Sequence, residues 1–410
     1  MRRVAVTGLG AISALGIGVP AFWDRLKAGS SGVGPITRFD TTGFLAQAAA
    51  EVPPFDPLTY FDESKLELLD RFSQLALIAA DEAWRSAGLE LTEAEQDRTG
   101  VAMGSGMGGA VTQDEGYFKL YRRNVSRAHP FTIPKIMNSA AASHISMRYR
   151  LRGPAVSFAT ACAAGAHAIG ESVEMIRAGR ADVMLAGGAD APITPGVIRC
   201  WEAMRVLSPT LDGDASRVCR PFSRDRLGMV LGEGAAVIVL ESWDRAAARG
   251  ADILAEVAGY GATADAEHIT QPGIHSPARA IEAALGQAKL GACDVDYVNA
   301  HGTATRLNDA TETAILKRVF GAHATKLAVS STKAVHGHVM GASAALEFVG
   351  TVLALRNGVV PPTANYTEPD PECDLDYVPN TAREMRVRAA ISNSFAFGGL
   401  NAVLLVKKVS

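Results

Sequence analysis

The stretches ATACAAGAHAIGESVEMIRAG (residues 159–179) and SSTKAVHGHVMGASAALEFVGTVLALRNG (residues 330–358) follow one plan. Each leaves an apolar run, crosses a loop of small and polar residues and enters a helical pattern. Each then stops at a glycine, Gly179 or Gly358. Glycine just beyond a helix takes the left-handed conformation that closes the last turn without steric cost. Two such strand–loop–helix units predict an internal duplication, with halves over 1–250 and 251–410. The join falls in ESWDRAAARGADI, a helical stretch ending at Gly250.

The same alternation runs along the rest of the chain. Short apolar runs at 3–7, 100–103, 155–159, 182–186, 235–240, 253–258, 295–299, 327–330 and 401–406 predict strands. Helical periodicity predicts helices over 64–87, 165–178, 276–289, 309–319 and 341–356. Strands alternating with helices make an α/β protein built in layers. With 410 residues, 48% of them apolar, the chain can bury a large core. A charged fraction of 20% and a net charge of −3 argue against nucleic acid, which selects a basic domain.

Five cysteines, an odd count with no CxxC, predict a reducing compartment, the cytoplasm, rather than a disulfide framework. The N-terminal MRRVAVTGLGAISALGIGVPA mimics a signal peptide. Its four glycines and the alternation of Val4 and Val6 fit a strand entering a loop better. No apolar run approaches the roughly 20 residues that a membrane span needs.

Two glycine clusters follow predicted strands. GSGMGG (residues 104–109) has the GxGxxG spacing of dinucleotide loops, and Gly8 and Gly10 follow the first strand. Neither has the acidic residue about 20 residues on that ribose binding wants. Close backbone packing is the expected use.

Cys162 follows a strand pattern and precedes a helix. The positive end of a helix dipole lowers a thiol pKa, so position favours thiolate. Position alone leaves a nucleophile and a buried structural cysteine both open. His301, in VNAHGTAT (residues 298–305), and His338 also lie where strands enter small loops. Ligand chemistry in α/β folds gathers at the carboxyl ends of strands. One cysteine and two histidines placed alike point to a Cys/His nucleophilic site. Zinc is the competing use, with Cys162, His301 and one of His336 and His338 as ligands. No acidic residue adjoins the histidine pair and Lys333 disfavours a cation, so no metal is expected.

Four ordered motifs then carry a family resemblance: TAC (residues 160–162), NAHGT (299–303), STKAVHGH (331–338) and NSFAFGG (393–399). In them the chain resembles the β-ketoacyl-acyl-carrier-protein synthases of types I and II, closest to type II, from Val4 to the C-terminus. The resemblance implies a thiolase-like fold, a duplicated αβαβα core of five layers, and a dimer. It implies a decarboxylative Claisen condensation with no cofactor beyond the phosphopantetheine of the carrier protein. Cys162 would take the acyl chain from an acyl carrier protein. His301 and His338 would stabilise the enolate from malonyl-carrier-protein, and the backbone N–H groups of Cys162 and Phe397 would form the oxyanion hole. Lys333, Asp309, Glu312 and Glu347 would hold the network that orients the histidines. Thr303 and Thr305 would bind the pantetheine arm, Met107, Trp201 and Phe395 the acyl chain, and Lys65, Arg127 and Arg205 the carrier protein.

Related enzymes differ at named positions. Thiolases use a second, C-terminal cysteine, and NSFAFGG has none. Synthase III has asparagine where His338 stands. Chain-length factors lack the nucleophile, so a non-catalytic partner subunit in a heterodimer is the alternative reading. Four departures from the primary fatty-acid enzymes point to a specialised branch of nodulation, polyene or polyketide type. Ala396 replaces a gate-loop glycine and is expected to restrict gate motion. Leu400 replaces a threonine. Lys65 is followed by Glu67, Leu68 and Leu69 in place of further basic residues. His336 stands where threonine is usual, and is expected to fill space.

Overall fold

The computed structural model describes residues 2–210 and 213–409. Among the described residues the main sheet has eleven strands, ten of them in one continuous path. In chain order these ten are β1 (Val4–Ser13), β2 (Thr99–Gly104), β3 (Ala155–Phe158), β4 (Val183–Asp190), β5 (Gly234–Ser242), β6 (Ala255–Ala264), β7 (Tyr297–Asn299), β8 (Ala328–Ser330), β9 (Ala389–Ala396) and β10 (Leu400–Lys407). Their order across the sheet is β8-β7-β9-β10-β6-β1-β5-β4-β2-β3, with the short strand Gly16–Ile17 paired to β1. Read outward from the centre, the first five strands and the last five are wound alike. Two residue pairs, Ala5 with Glu256 and Val6 with Ala255, join β1 to β6.

Side-chain alternation along the strands makes the layers. On β5, Ala236, Ile238 and Leu240 enter a central core, while Ala235, Val237 and Val239 enter an outer one. On β10, Leu404 and Val406 point to the same central core, and Val403 and Leu405 to a third cluster. Period-two alternation with both faces apolar requires a cover on each side. Helix α1 (Arg71–Ala87) covers one outer face. Helices α3 (His275–Ala288) and α4 (Arg306–Phe320) cover the other. Helices α2 (Ala164–Arg177) and α5 (Ser343–Asn357) fill the middle. Helix α5 buries 12 of its 15 residues, as a helix enclosed on all sides must. The result is a thiolase-like αβαβα stack. Among the described residues no helix is long and apolar enough to cross a membrane.

All nine expected strands are present. The tenth, β9, was not expected: its buried Ser392, Asn393 and Ser394 break the apolar pattern that marks a strand. The helix expected over 64–87 is two helices, Glu63–Leu66 and α1. Asp70 divides them, because its carboxylate caps α1 by accepting the Phe72 N–H at 3.0 Å. The helix expected from 341 begins as the 3-10 turn Met340–Ala342 and becomes α-helical at Ser343. The early glycines serve packing, as expected: a Cβ at Gly8 or Gly10 would collide with the carbonyl oxygens of Ala83 and Ala79 on α1.

Candidate active site

Cys162 lies in the 3-10 turn Ala161–Ala163, between β3 and α2. Ala161 has φ of 48°, a left-handed conformation held at a cost by its surroundings. The Cys162 side chain is nearly enclosed and faces a cavity of about 130 Å³ shared with His301 and His338. The sulfur and a ring nitrogen of each histidine lie within 4.8 Å of one another. The two imidazoles meet edge to face, with centroids 5.7 Å apart.

His338 follows β8 and the short helix Lys333–His336. Its Nδ1 accepts the Met340 N–H at 3.0 Å and lies 3.0 Å from the Ser343 hydroxyl. A backbone donor at Nδ1 leaves the proton of the neutral ring on Nε2. His301 follows β7. Glu312 on α4 fixes its loop by accepting the N–H groups of His301 and Gly302 at 2.9 and 2.8 Å, and the Asn393 amide at 3.1 Å. Lys333 Nζ lies 3.4 Å from His301 Nδ1, donates to the His301 carbonyl at 2.6 Å and pairs with Glu347. A cation facing Nδ1 places the His301 proton on Nε2 as well.

Burial, and then the Lys333 charge, hold both imidazoles well below the usual histidine range, so both are neutral. Burial also pushes the Cys162 thiol up to about 12, against the pull of Lys333. Chain position alone led to the opposite expectation. Desolvation of the sulfur is the largest influence on it.

Cys162, His301 and His338 have the spacing of a three-ligand metal site. The Lys333 ammonium beside His301 and the absence of a carboxylate from this trio suit thiol chemistry better than a resident cation. His336 does not join the trio. Its ring bonds the Gly337 carbonyl at 2.8 Å and the Thr332 hydroxyl at 3.0 Å.

The remaining expected residues fall in three places. Thr303 and Thr305 line the cavity with their hydroxyls 2.9 Å apart, and Phe395 packs on the His301 ring with centroids 6.2 Å apart. Trp201 stacks on Phe397 at 5.9 Å, and both line the cavity. Met107 is half-buried against the central core and is not part of this cavity's lining. Asp309 does not reach the histidines: it accepts the Phe222 N–H at 2.8 Å and pairs at 3.5 Å with buried Arg226. Arg226 in turn donates to the Thr305 and Arg306 carbonyls, at 3.4 and 3.2 Å. Asp309 therefore braces the threonine loop, a role its position in the first turn of α4 did not reveal.

Residues 1–246 match the family profile "Beta-ketoacyl synthase, N-terminal domain", and residues 254–367 match "Beta-ketoacyl synthase, C-terminal domain". The chain belongs to the β-ketoacyl synthase family. It is an acyltransferase of the condensing type.

The synthase is 50% identical over 411 residues to nodulation protein E of Rhizobium leguminosarum bv. trifolii, with 100% of both chains covered. It is 44% identical to 3-oxoacyl-[acyl-carrier-protein] synthase 2 of Coxiella burnetii, over 100% of this chain and 99% of the relative. A type II polyketide ketosynthase, solved in complex with its acyl-carrier protein and bound to a hexaketide, superposes with a TM-score of 0.92. It shares 34% identity over 100% of both chains.

The departures of the synthase from its primary relatives can now be placed. Ala396 ends β9 with ordinary strand geometry, paired to Leu400, and the left-handed residues of the loop are Gly398 (φ 83°) and Gly399 (φ 67°). In this conformation Ala396 carries no backbone strain. Arg205 is exposed beside Val206, which lines the cavity. Arg127 is exposed on the segment after the helix Ala110–Arg122. Lys65 pairs with Asp62 at 3.3 Å and borders a separate groove of about 690 Å³ with Leu68 and His144.

Seven positions were not foreseen. Val206, Met229, Thr270, Pro272, Leu307 and Asn308 line the cavity, and Arg306 is exposed between Thr305 and Leu307. Its place directly after HGTAT was the available signal for Arg306.

Proposed function

We propose that the synthase carries out two half-reactions on one buried thiol. The observation that supports this is the meeting of the Cys162 sulfur with two neutral imidazoles whose protons sit on Nε2. In the first half-reaction Cys162 attacks an acyl thioester of an acyl carrier protein. The sulfur–acyl bond forms, the carrier thiol leaves, and the Cys162 proton goes to it, so no net base is consumed. The N–H groups of Cys162 and Phe397 stabilise the oxyanion. In the second, malonyl-carrier-protein loses CO2 to give an enolate. His301 and His338 donate from Nε2 to its oxygen while the carbanion attacks the acyl group, and the Cys162 sulfur leaves as thiolate and takes a proton from water to restore the thiol. Thr303 and Thr305 hold the pantetheine arm, Trp201 and Phe395 line the cavity end of the acyl path, and Met107 serves it beyond this cavity. Lys333, Glu312 and Glu347 orient His301, and Asp309 supports the threonine loop through Arg226. No metal and no cofactor beyond the carrier's phosphopantetheine is needed.

The partner in this reading is an acyl carrier protein approaching by Arg205, Arg306 and Arg127, with Lys65 farther out. Greater identity to nodulation protein E than to synthase 2, together with Glu67 and Leu68 beside Lys65, supports a specialised carrier and pathway. The halves 1–250 and 251–410 contribute the thiol and the imidazoles respectively, and the working unit is a dimer with a second copy. A non-catalytic subunit of a heterodimer is the other reading, and the intact trio favours catalysis. Cys162→Ala is expected to abolish condensation. His338→Ala is expected to lower malonyl decarboxylation by about 10²–10³-fold, the usual cost of losing one oxyanion donor. Condensation that survives Cys162→Ala would falsify the mechanism. Equal turnover with housekeeping and pathway-specific carriers would remove the specialised branch.

A further inference from the structure

We propose that Asp190 is a positioning residue that links the acylation side of the synthase, at Cys162 and Met107, to the ring of His338. Asp190 ends β4 and is fully buried. Its Oδ1 accepts the Ser105 hydroxyl at 2.7 Å and the Met107 N–H at 3.0 Å. Its Oδ2 accepts the Gly106 N–H at 2.8 Å and the Gly341 N–H at 2.7 Å. Three of these donors belong to the loop after β2. The fourth belongs to the turn Met340–Ala342, in the other half of the fold.

That turn sets His338. Met340 gives its N–H to His338 Nδ1 while standing at φ of 48°. A residue with a side chain in that conformation is strained and persists only where its surroundings hold it. Asp190 holds the next peptide through the Gly341 N–H.

The junction has no slack. A Cβ at Gly341 would come within 2.6 Å of the Gly106 nitrogen and 2.9 Å of Asp190 Oδ2. A Cβ at Gly165, at the start of the helix behind Cys162, would come within 2.7 Å of the Gly341 carbonyl oxygen. Packed backbones of this kind pass a displacement on rather than absorb it. An acyl chain that shifts the Met107 loop therefore shifts the Gly341 peptide, and with it the donor that fixes the tautomer and tilt of His338. The group carried on Cys162 thus sets the readiness of the imidazole that serves the second half-reaction. This rests on the roles proposed above for Cys162, Met107 and His338.

The test uses the full chain and measures the half-reactions apart. Acyl transfer from an acyl carrier protein to Cys162 is read by intact mass. Decarboxylation of malonyl-carrier-protein is read as CO2 release after Cys162 is capped with iodoacetamide or with a long-chain N-alkyl iodoacetamide. With the natural sequence the two caps are expected to give rates about fivefold or more apart, the low end of couplings between sites. Asp190→Asn turns an amide toward donors that need an acceptor. It is expected to bring that ratio below about twofold and to slow decarboxylation about tenfold more than acyl transfer.

Equal rates with the two caps in the natural sequence overturn the proposal. So does an Asp190→Asn protein that loses both half-reactions equally and keeps the ratio. Should Asp190→Asn not fold, Ser105→Ala removes one bond from the loop side alone and is expected at least to halve the ratio. An unchanged ratio then overturns the proposal. If Cys162 takes no acyl group, the reading of the site itself fails, whereas cap-independent decarboxylation by a protein that does acylate removes the coupling alone.

Discussion

His336 donates from Nδ1 to the Gly337 carbonyl and accepts at Nε2 from Thr332, fully buried two residues before His338. It does more than fill space, because it pins the peptide that leads into His338. Burial, and then Lys333, lower its pKa from 6.5 to about 3. The unfolded chain therefore takes up a proton below pH 6.5 that the folded chain refuses, and stability falls as pH falls through that range. His336→Asn keeps an N–H for the Gly337 carbonyl and cannot titrate. Its stability deficit relative to the natural protein should shrink by about 1.4 kcal/mol per pH unit between pH ~6.5 and ~5, measured by urea unfolding. A deficit independent of pH would contradict the buried neutral ring.

Cys162 makes a second case at the same scale. With its thiol raised to about 12, the thiolate fraction should climb about tenfold per pH unit across neutral and mildly basic pH. Iodoacetamide labelling of the free synthase should show that slope, with no plateau below pH ~9. The residues Cys162, His301 and His338 were legible because each stands at a strand end in a short motif. The protonation of Cys162 was not, since burial is set by distant neighbours. Asp190 was not legible either: its partners lie 85 and 151 residues away in the chain.

Among the elements, β1 and α1 show how far glycine sets the packing. A methyl group at Gly10 has no room before the Ala79 carbonyl on α1. Gly10→Ala should force strand and helix apart at a cost near 3 kcal/mol, the upper range for overpacking, seen as a lower melting temperature. A substitution that leaves the melting temperature unchanged would show that α1 can move. Strands with apolar alternation were readable from the chain. Strand β9 was not, because its polar residues are buried to serve the site: Asn393 donates to Glu312, which holds the His301 loop. The break between the two helices over 63–87 was missed because Asp70 reads as one more polar residue of a helical face. Its cap on Phe72 and its bond to Thr112 at 2.8 Å appear only in three dimensions.

The whole molecule is held by a core that neither half owns. Ile169 and Val173 of α2, Phe348 and Val352 of α5, and residues of β5 and β10 belong to one cluster. Two residue pairs between β1 and β6 join the two halves of the sheet directly, so the cohesion comes from the helices between them. Neither half could cover its inner face alone. Calorimetry should show one unfolding transition, and two resolved transitions would mean that the halves fold separately. The duplication was visible in the chain as two similar strand–loop–helix units. The sharing of their middle layer was not, because no local pattern states which helix of one half meets which helix of the other.

The loop at 104–109 has a wider consequence. A glycine-rich turn at a strand end is a receptor for negative charge, and here Gly106 and Met107 spend their amides on the chain's own Asp190. The receptor has a permanent internal guest, delivered from 84 residues downstream. Glycine spacing therefore reports the existence of such a receptor, while an acid elsewhere in the chain decides its vacancy. A motif scan that stops at the spacing will count enzymes of this build among the nucleotide binders.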